Sequence, residues 1–124
     1  MQHSKAVFVV DDDPSMLRGL NRLLRQYGFE TVPFETATAL KAYGDFDRAF
    51  CIVLDINLGD SSGIELRHHL AESGVDLPII YITGNDSDAT RAAAMASGCL
   101  AYLTKPFTAK ALMEPVERAA AGLT

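Results

Sequence analysis

Five short apolar runs alternate with segments of helical spacing, and that alternation leaves this chain few folds to choose from. Ala6–Val10, Phe50–Leu54 and Pro78–Thr83 are almost wholly apolar. Runs of this length read as parallel strands covered on both faces. Leu100–Thr104 reads the same way, while Glu30–Phe34 is more polar and belongs nearer an edge. The intervening segments carry helix punctuation. Asp13 is an N-cap with Pro14 at the first helical position. Met16, Leu20, Leu23, Leu24 and Tyr27 follow at helical spacing, and Gly28 ends the run. Thr36–Tyr43 is a weaker helix, capped by Thr36 or Glu35. Ser61-Ser62-Gly63 opens a third, which runs to Glu72 and closes at Gly74. Ala-rich Asp88–Ser97 gives a fourth, ended by Gly98, and Thr108–Ala121 a fifth. Parallel strands need crossover helices, and crossovers are right-handed, so the expected architecture is α/β, a doubly wound parallel sheet.

Such a sheet binds ligands beyond the carboxyl ends of its strands. Here those ends carry chemistry. The first strand runs into Asp11-Asp12-Asp13, the third into Asp55, the fourth into Thr83 and the fifth into Lys105. Converging carboxylates repel one another unless a cation sits among them. Hard oxygen donors suit Mg²⁺, and thiolates or imidazoles that would suit zinc are missing from these strand ends. Asp13, beside Pro14, reads as a helix cap, which leaves Asp11, Asp12 and Asp55 for the metal. Asp55 beside a cation is a competent nucleophile toward phosphorus. The charge on the transferring group must then be neutralised, and Lys105 and the Thr83 hydroxyl stand ready to do it. Gly84 leaves room for the group to approach.

Composition narrows the setting. A chain of 124 residues, 48% hydrophobic and 22% charged, suits one globular domain spanning residues 1–124. Its net charge of −5 argues against direct nucleic-acid binding. No apolar run nears the roughly 20 residues of a membrane span, and no signal-peptide core is evident. Cys51 and Cys99 read as free structural thiols, and a cytoplasmic protein is expected.

The segments Val10-Asp11-Asp12-Asp13, Leu54-Asp55-Ile56-Asn57-Leu58, Ile82-Thr83-Gly84 and Leu103-Thr104-Lys105-Pro106-Phe107 resemble, in order, the receiver domain of two-component response regulators. The stretch from Thr83 to Gly98 is similar to receivers of the FixJ/NarL type, which usually precede a helix-turn-helix effector. The resemblance implies a flavodoxin-like (βα)5 fold with strand order 2-1-3-4-5. It implies Asp55 as phosphoacceptor, Mg²⁺ held by Asp11, Asp12, Asp55 and the Asn57 backbone carbonyl, and phosphoryl contacts from Thr83 and Lys105. A cis Lys105–Pro106 bond, a switch aromatic at Tyr102, and Asn57 and Asn85 flanking the path of hydrolytic water are implied too. So are partners: a sensor histidine kinase or phosphotransfer protein, an effector domain or partner protein, and a phosphorylation-dependent homodimer. The output face would comprise the fourth helix, fifth strand and fifth helix. One departure stands out. Where many receivers carry a proline after the phosphoacceptor strand, Leu58-Gly59-Asp60-Ser61-Ser62-Gly63 has Gly59, which predicts a more flexible loop.

Other readings are weaker. His68 and His69, adjacent on the third helix, face different directions and lack an acidic orienter, so they read as exposed surface. Met95 and Met113 read as packing. Asp11 and Asp13 form the Asp-x-Asp of haloacid-dehalogenase-like phosphatases, but Pro14 and the short chain disfavour that class, which would turn over small phosphomonoesters. A degenerate receiver would lack a key site residue, and all are present. Flavin phosphate would meet three carboxylates instead of a helix N-terminus.

Overall fold

Every apolar run becomes a strand in the computed structural model, which describes residues 5–59 and 61–122. The strands are β1 (Ala6–Val10), β2 (Glu30–Phe34), β3 (Ala49–Asp55), β4 (Ile79–Thr83) and β5 (Ala101–Thr104). The helices are α1 (Pro14–Gln26), α2 (Ala37–Tyr43), α3 (Gly63–Glu72), α4 (Asp88–Ala96) and α5 (Ala109–Ala120). All pairings are parallel and the order is β2-β1-β3-β4-β5. That is the doubly wound order expected, with the polar strand β2 at one edge.

Strand parity sorts the core into two layers. Phe8, Val10, Ile52, Leu54, Ile79 and Tyr81 face one way, against Leu40 of α2, Leu66 and Leu70 of α3, and Ala94 of α4. Val7, Val9, Cys51, Val53, Ile80 and Ile82 face the other way, against Leu17, Leu20 and Leu24 of α1 and Leu112, Met113 and Val116 of α5. The central strands are therefore covered on both sides, which explains their unbroken apolar runs. Burying Leu24 or Leu112 fully contributes about 1.5–3 kcal/mol each.

Helix ends follow the sequence. Asp13 accepts the Ser15 N–H at 2.9 Å and the Met16 N–H at 3.4 Å, which makes it the α1 cap. Thr36, Ser62, Ser87 and Thr108 cap the other four helices through their hydroxyls. Three details differ from the sequence reading. Leu17 joins the α1 core, whereas Tyr27, at the helix end, is 49% exposed. Met95 is 56% exposed, not packed: α4 is short, and it turns only Ala94 fully inward. A 3-10 turn at Phe46–Arg48 precedes β3 and seats Phe46 beside Phe8, at the margin of a ring cluster with Phe34 and Tyr43.

Pro33 interrupts the edge strand β2. The Phe34 carbonyl turns toward β1 and accepts the Asp11 N–H at 3.1 Å. Pro33, one residue earlier, therefore points its nitrogen away from the sheet, where no ladder bond is lost.

Two glycines give a test of the packing. A methyl at Gly63 would run into the Asp55 carbonyl, because α3 begins directly against the end of β3. Gly19, on the exposed side of α1, has open space around it. Gly63→Ala is expected to lower stability in urea denaturation by about 2–3 kcal/mol. Gly19→Ala should raise it by about 0.5–1 kcal/mol.

Candidate functional site

Four strands deliver the polar groups to one end of the sheet. Asp11 follows β1, Asp55 closes β3, Thr83 closes β4, and Lys105 follows β5. Asp11, Asp55 and Thr83 are all buried. Carboxylate oxygens of Asp11, Asp12 and Asp55 lie within 4.8 Å of one another, with Asp12 the exposed member.

Lys105 bridges the two buried acids. Its Nζ donates to Asp11 Oδ2 at 3.1 Å and to Asp55 Oδ2 at 3.2 Å. The remaining carboxylate oxygens are tied to backbone: Asp11 Oδ1 accepts the Asp13 N–H at 2.9 Å, and Asp55 Oδ1 accepts the Asn57 N–H at 3.0 Å. Each buried acid is thus oriented from both sides. The Lys105–Pro106 bond is cis.

One ammonium cannot neutralise three carboxylates. Burial pushes the Asp55 carboxyl up to about 6, and the Asp11 charge adds to the rise against the Asn57 N–H and Lys105. Burial alone would lower the Lys105 ammonium, but Asp11 and Asp55 outweigh it and hold the group above the usual lysine range. The cluster has room and charge for a divalent cation with hard oxygen donors.

Thr83 sits beside this cluster with its hydroxyl already engaged. Its Oγ1 accepts the Asn85 N–H at 3.0 Å and the Asn57 side-chain amide at 3.4 Å. Both bonds use the oxygen as acceptor and leave the hydroxyl proton free to donate elsewhere. The Asn57–Thr83 contact was not foreseen from the sequence, which singled out the Asn57 carbonyl and a solvent-facing role. A side chain at Gly84 would meet only Lys105, at 4.0 Å, so the approach over Thr83 is open.

The loop after β3 turns on Gly59. Its φ is +75°, a value closed to proline, and an added Cβ would lie 3.7 Å from Asp12 Oδ2. Glycine here serves a left-handed turn beside the acidic cluster. Residue 60 lies outside the described residues. The loop closes through Leu58 N–H to the Ser61 carbonyl at 3.0 Å and Gly63 N–H to the Ile56 carbonyl at 2.7 Å.

Tyr102 stands apart from the acids. It is half-buried, and its hydroxyl donates to Asp86 Oδ1 at 2.8 Å. His68 and His69 are exposed on α3, as read. Cys51 and Cys99 are free; burial pushes the Cys51 thiol up to about 12, as befits an inert core group. An open hollow of about 600 Å³ beside α5 is lined by Tyr27, Lys110, Met113 and Glu117, none of them a strand-end group. Among the described residues, no helix is long and apolar enough to cross a membrane.

A parallel five-stranded sheet thus gathers an acid trio, a threonine and a lysine at its carboxyl end. Residues 7–117 match the response regulator receiver domain family. Nodulation protein W of Bradyrhizobium diazoefficiens is 38% identical over 110 residues, covering 89% of this chain and 48% of that protein. The transcriptional regulatory protein FixJ of Rhizobium meliloti is 31% identical over 113 residues, covering 91% of this chain and 55% of that protein. Among solved structures, FixJ-N superposes with a TM-score of 0.86 at 30% identity, covering all of this chain and 98% of that one. The chain belongs to the response regulator receiver domains of two-component signalling, a family that switches by phosphorylation. It spans about half the length of the curated relatives it matches.

The electrostatics of the site can be read directly. In carboxyl ¹³C NMR of metal-free protein, Asp55 should titrate near pH 6. Asp11→Asn should bring that value down, since it removes a like charge and leaves Lys105 to Asp55 alone. A midpoint near the ordinary aspartate value, unmoved by Asp11→Asn, would contradict the geometry.

Proposed function

We propose that Asp55 is the phosphoacceptor of this receiver, taking a phosphoryl group from the phosphohistidine of a sensor kinase or phosphotransfer protein. The observation that carries the reading is the buried Asp55 carboxylate, fixed by the Asn57 N–H and Lys105, with Asp11 and Asp12 within 4.8 Å. Three hard carboxylates around an under-neutralised pocket fit Mg²⁺, with Asp11, Asp12, Asp55 and the Asn57 carbonyl as its holders. When bound, the cation would neutralise phosphoryl oxygens and offset the mutual repulsion of the carboxylates.

The chain's own residues do the rest. An Asp55 oxygen attacks phosphorus in line, a P–O bond forms, and the P–N bond to the donor histidine breaks with its electron pair leaving on nitrogen. Lys105, already 3.2 Å from Asp55 Oδ2, shifts its bond to a phosphoryl oxygen as a point charge. Thr83 donates its free proton to another. Hydrolysis reverses the modification: water attacks phosphorus and the P–O bond to Asp55 breaks. Asn57 and Asn85 flank that path and keep it open, because small polar side chains admit water. The domain catalyses its own phosphotransfer and dephosphorylation but turns over no external substrate.

Phosphorylation would be read on the face formed by α4, β5 and α5, where Tyr102 and the exposed Met95 lie. That face would meet an effector domain of the whole protein, a partner protein or a second copy of the chain. Relatives such as FixJ are described as transcriptional regulators and extend well beyond the matched region. Here any nucleic-acid contact belongs to an effector, given a net charge of −5.

Acetyl phosphate with Mg²⁺ should add one phosphoryl group to the chain, seen by intact mass. Asp55→Asn should abolish it, and Asp11→Asn or Asp12→Asn should weaken Mg²⁺ binding by about tenfold or more. Undiminished phosphorylation of Asp55→Asn would sink the assignment. Replacing Asn57 and Asn85 with bulky or cationic residues should lengthen the acyl-phosphate lifetime severalfold; an unchanged decay would remove their role.

A further inference from the structure

Arg67 sits where a cation is least expected. The inward stripe of α3 is Gly63, Leu66 and Leu70, and Arg67 follows Gly63 by one turn, on the flank of that stripe. Its side chain is only 13% exposed, against 42% for Arg48 and 48% for Arg91. A charge withdrawn from water is ordinarily paired and hydrogen-bonded. This one is nearly without partners. Its Nε is buried with no acceptor among the described residues. Its carboxylate neighbour, Asp76, stands 3.9 Å from Nη2, too far for a hydrogen bond, and is itself 98% exposed.

The guanidinium opens onto a space. With Leu77, Pro78, Cys99 and Leu100 it lines a hollow of about 280 Å³. Leu77 and Pro78 lead into β4 and Leu100 leads into β5, so the hollow lies at the amino ends of the strands, opposite the acid cluster. Burial raises the Tyr81 phenol and the Cys99 thiol, and the Arg67 charge pulls both back, so its field reaches the groups on this side of the sheet.

The lining selects a ligand by its chemistry. A carboxylate matches a guanidinium through two parallel N–H···O bonds. A short hydrocarbon tail matches Leu77, Pro78 and Leu100. Phosphate fits less well, since its second charge would meet no second cation in the lining, with Asp76 close by. A hollow of this size is also small for a nucleotide.

We infer that this hollow binds a small carboxylic acid with a short apolar tail, clamped by Arg67. The site is separate from the strand-end pocket and stands whatever that pocket does. One ion pair and a few apolar contacts in a hollow open to solvent set a dissociation constant of about 1 mM.

Butyrate is the probe, compared with inorganic phosphate and butylammonium, in ¹H–¹⁵N NMR titrations of the metal-free chain. Butyrate should shift the Leu77 and Cys99 amides and the Arg67 Nε–H together, half-saturating at about 1 mM. Arg67→Met, which keeps a buried stem without the charge, should weaken binding by about tenfold or more. Arg67→Lys, a point charge without paired donors, should weaken it about threefold. Asp76→Asn removes a competing carboxylate and should tighten it about twofold. Should Arg67→Met fail to fold, Arg67→Lys and Asp76→Asn carry the test. No shift of these groups at about 50 mM butyrate overturns the site. Phosphate or butylammonium binding as tightly as butyrate overturns it too, as does butyrate binding that no Arg67 variant weakens.

Discussion

A single ammonium shared between two buried carboxylates is the interaction on which the rest of this domain turns. Lys105 holds Asp11 and Asp55 at about equal distance, and among the described residues no other cation pairs with either acid. Removing Lys105 from such an arrangement would leave two buried carboxylates without their shared cation. Yet the neutralisation is incomplete, and Asp12 adds further negative charge at the rim. The pocket is therefore held in a state that an added cation would relieve.

The fold serves that pocket by sequestering the strands on both faces. With α2, α3 and α4 on one side and α1 and α5 on the other, β1, β3 and β4 have no freedom to slide, since a one-residue slip would turn apolar side chains toward the wrong layer. Carboxylates placed at the ends of such strands inherit their rigidity. The opposite property appears at α4, which turns only Ala94 fully inward and depends on polar contacts at its two ends. Rigid acids and a lightly held helix thus sit in different parts of the same small domain.

Most of the scaffold is visible in the sequence because it rests on local rules. Strand runs, the Asp13-Pro14 start, the hydroxyl caps and the glycine stops all act within a few residues of one another. The site residues are legible for a related reason: each directly ends or follows a strand, so chain position alone brings them together. What escapes is lateral. The bond from Asn57 to Thr83 joins two strand ends through a side chain whose backbone role drew attention first. Tyr102 meets Asp86 only because β5 lies beside β4 in a register that pairs Tyr102 with Tyr81. Met95 reads as core from its residue type, but the short helix that carries it has too narrow an apolar face to bury it. Gly59 shows a different gap, since its left-handed φ of +75° follows from the course of the loop and not from residue type alone.

Pro33 has a consequence of its own. An open parallel sheet has two edges, and an exposed edge invites a neighbouring chain to add a strand and propagate. At β2 the outward backbone lacks an N–H where Pro33 stands, and at the other side β5 offers only four residues. Neither edge makes a good template for intermolecular β-addition. Copies of this domain, or partners of it, are left to meet through helix surfaces and side chains, by contacts that form and part without remaking the sheet. Blunted borders of this kind keep such associations reversible.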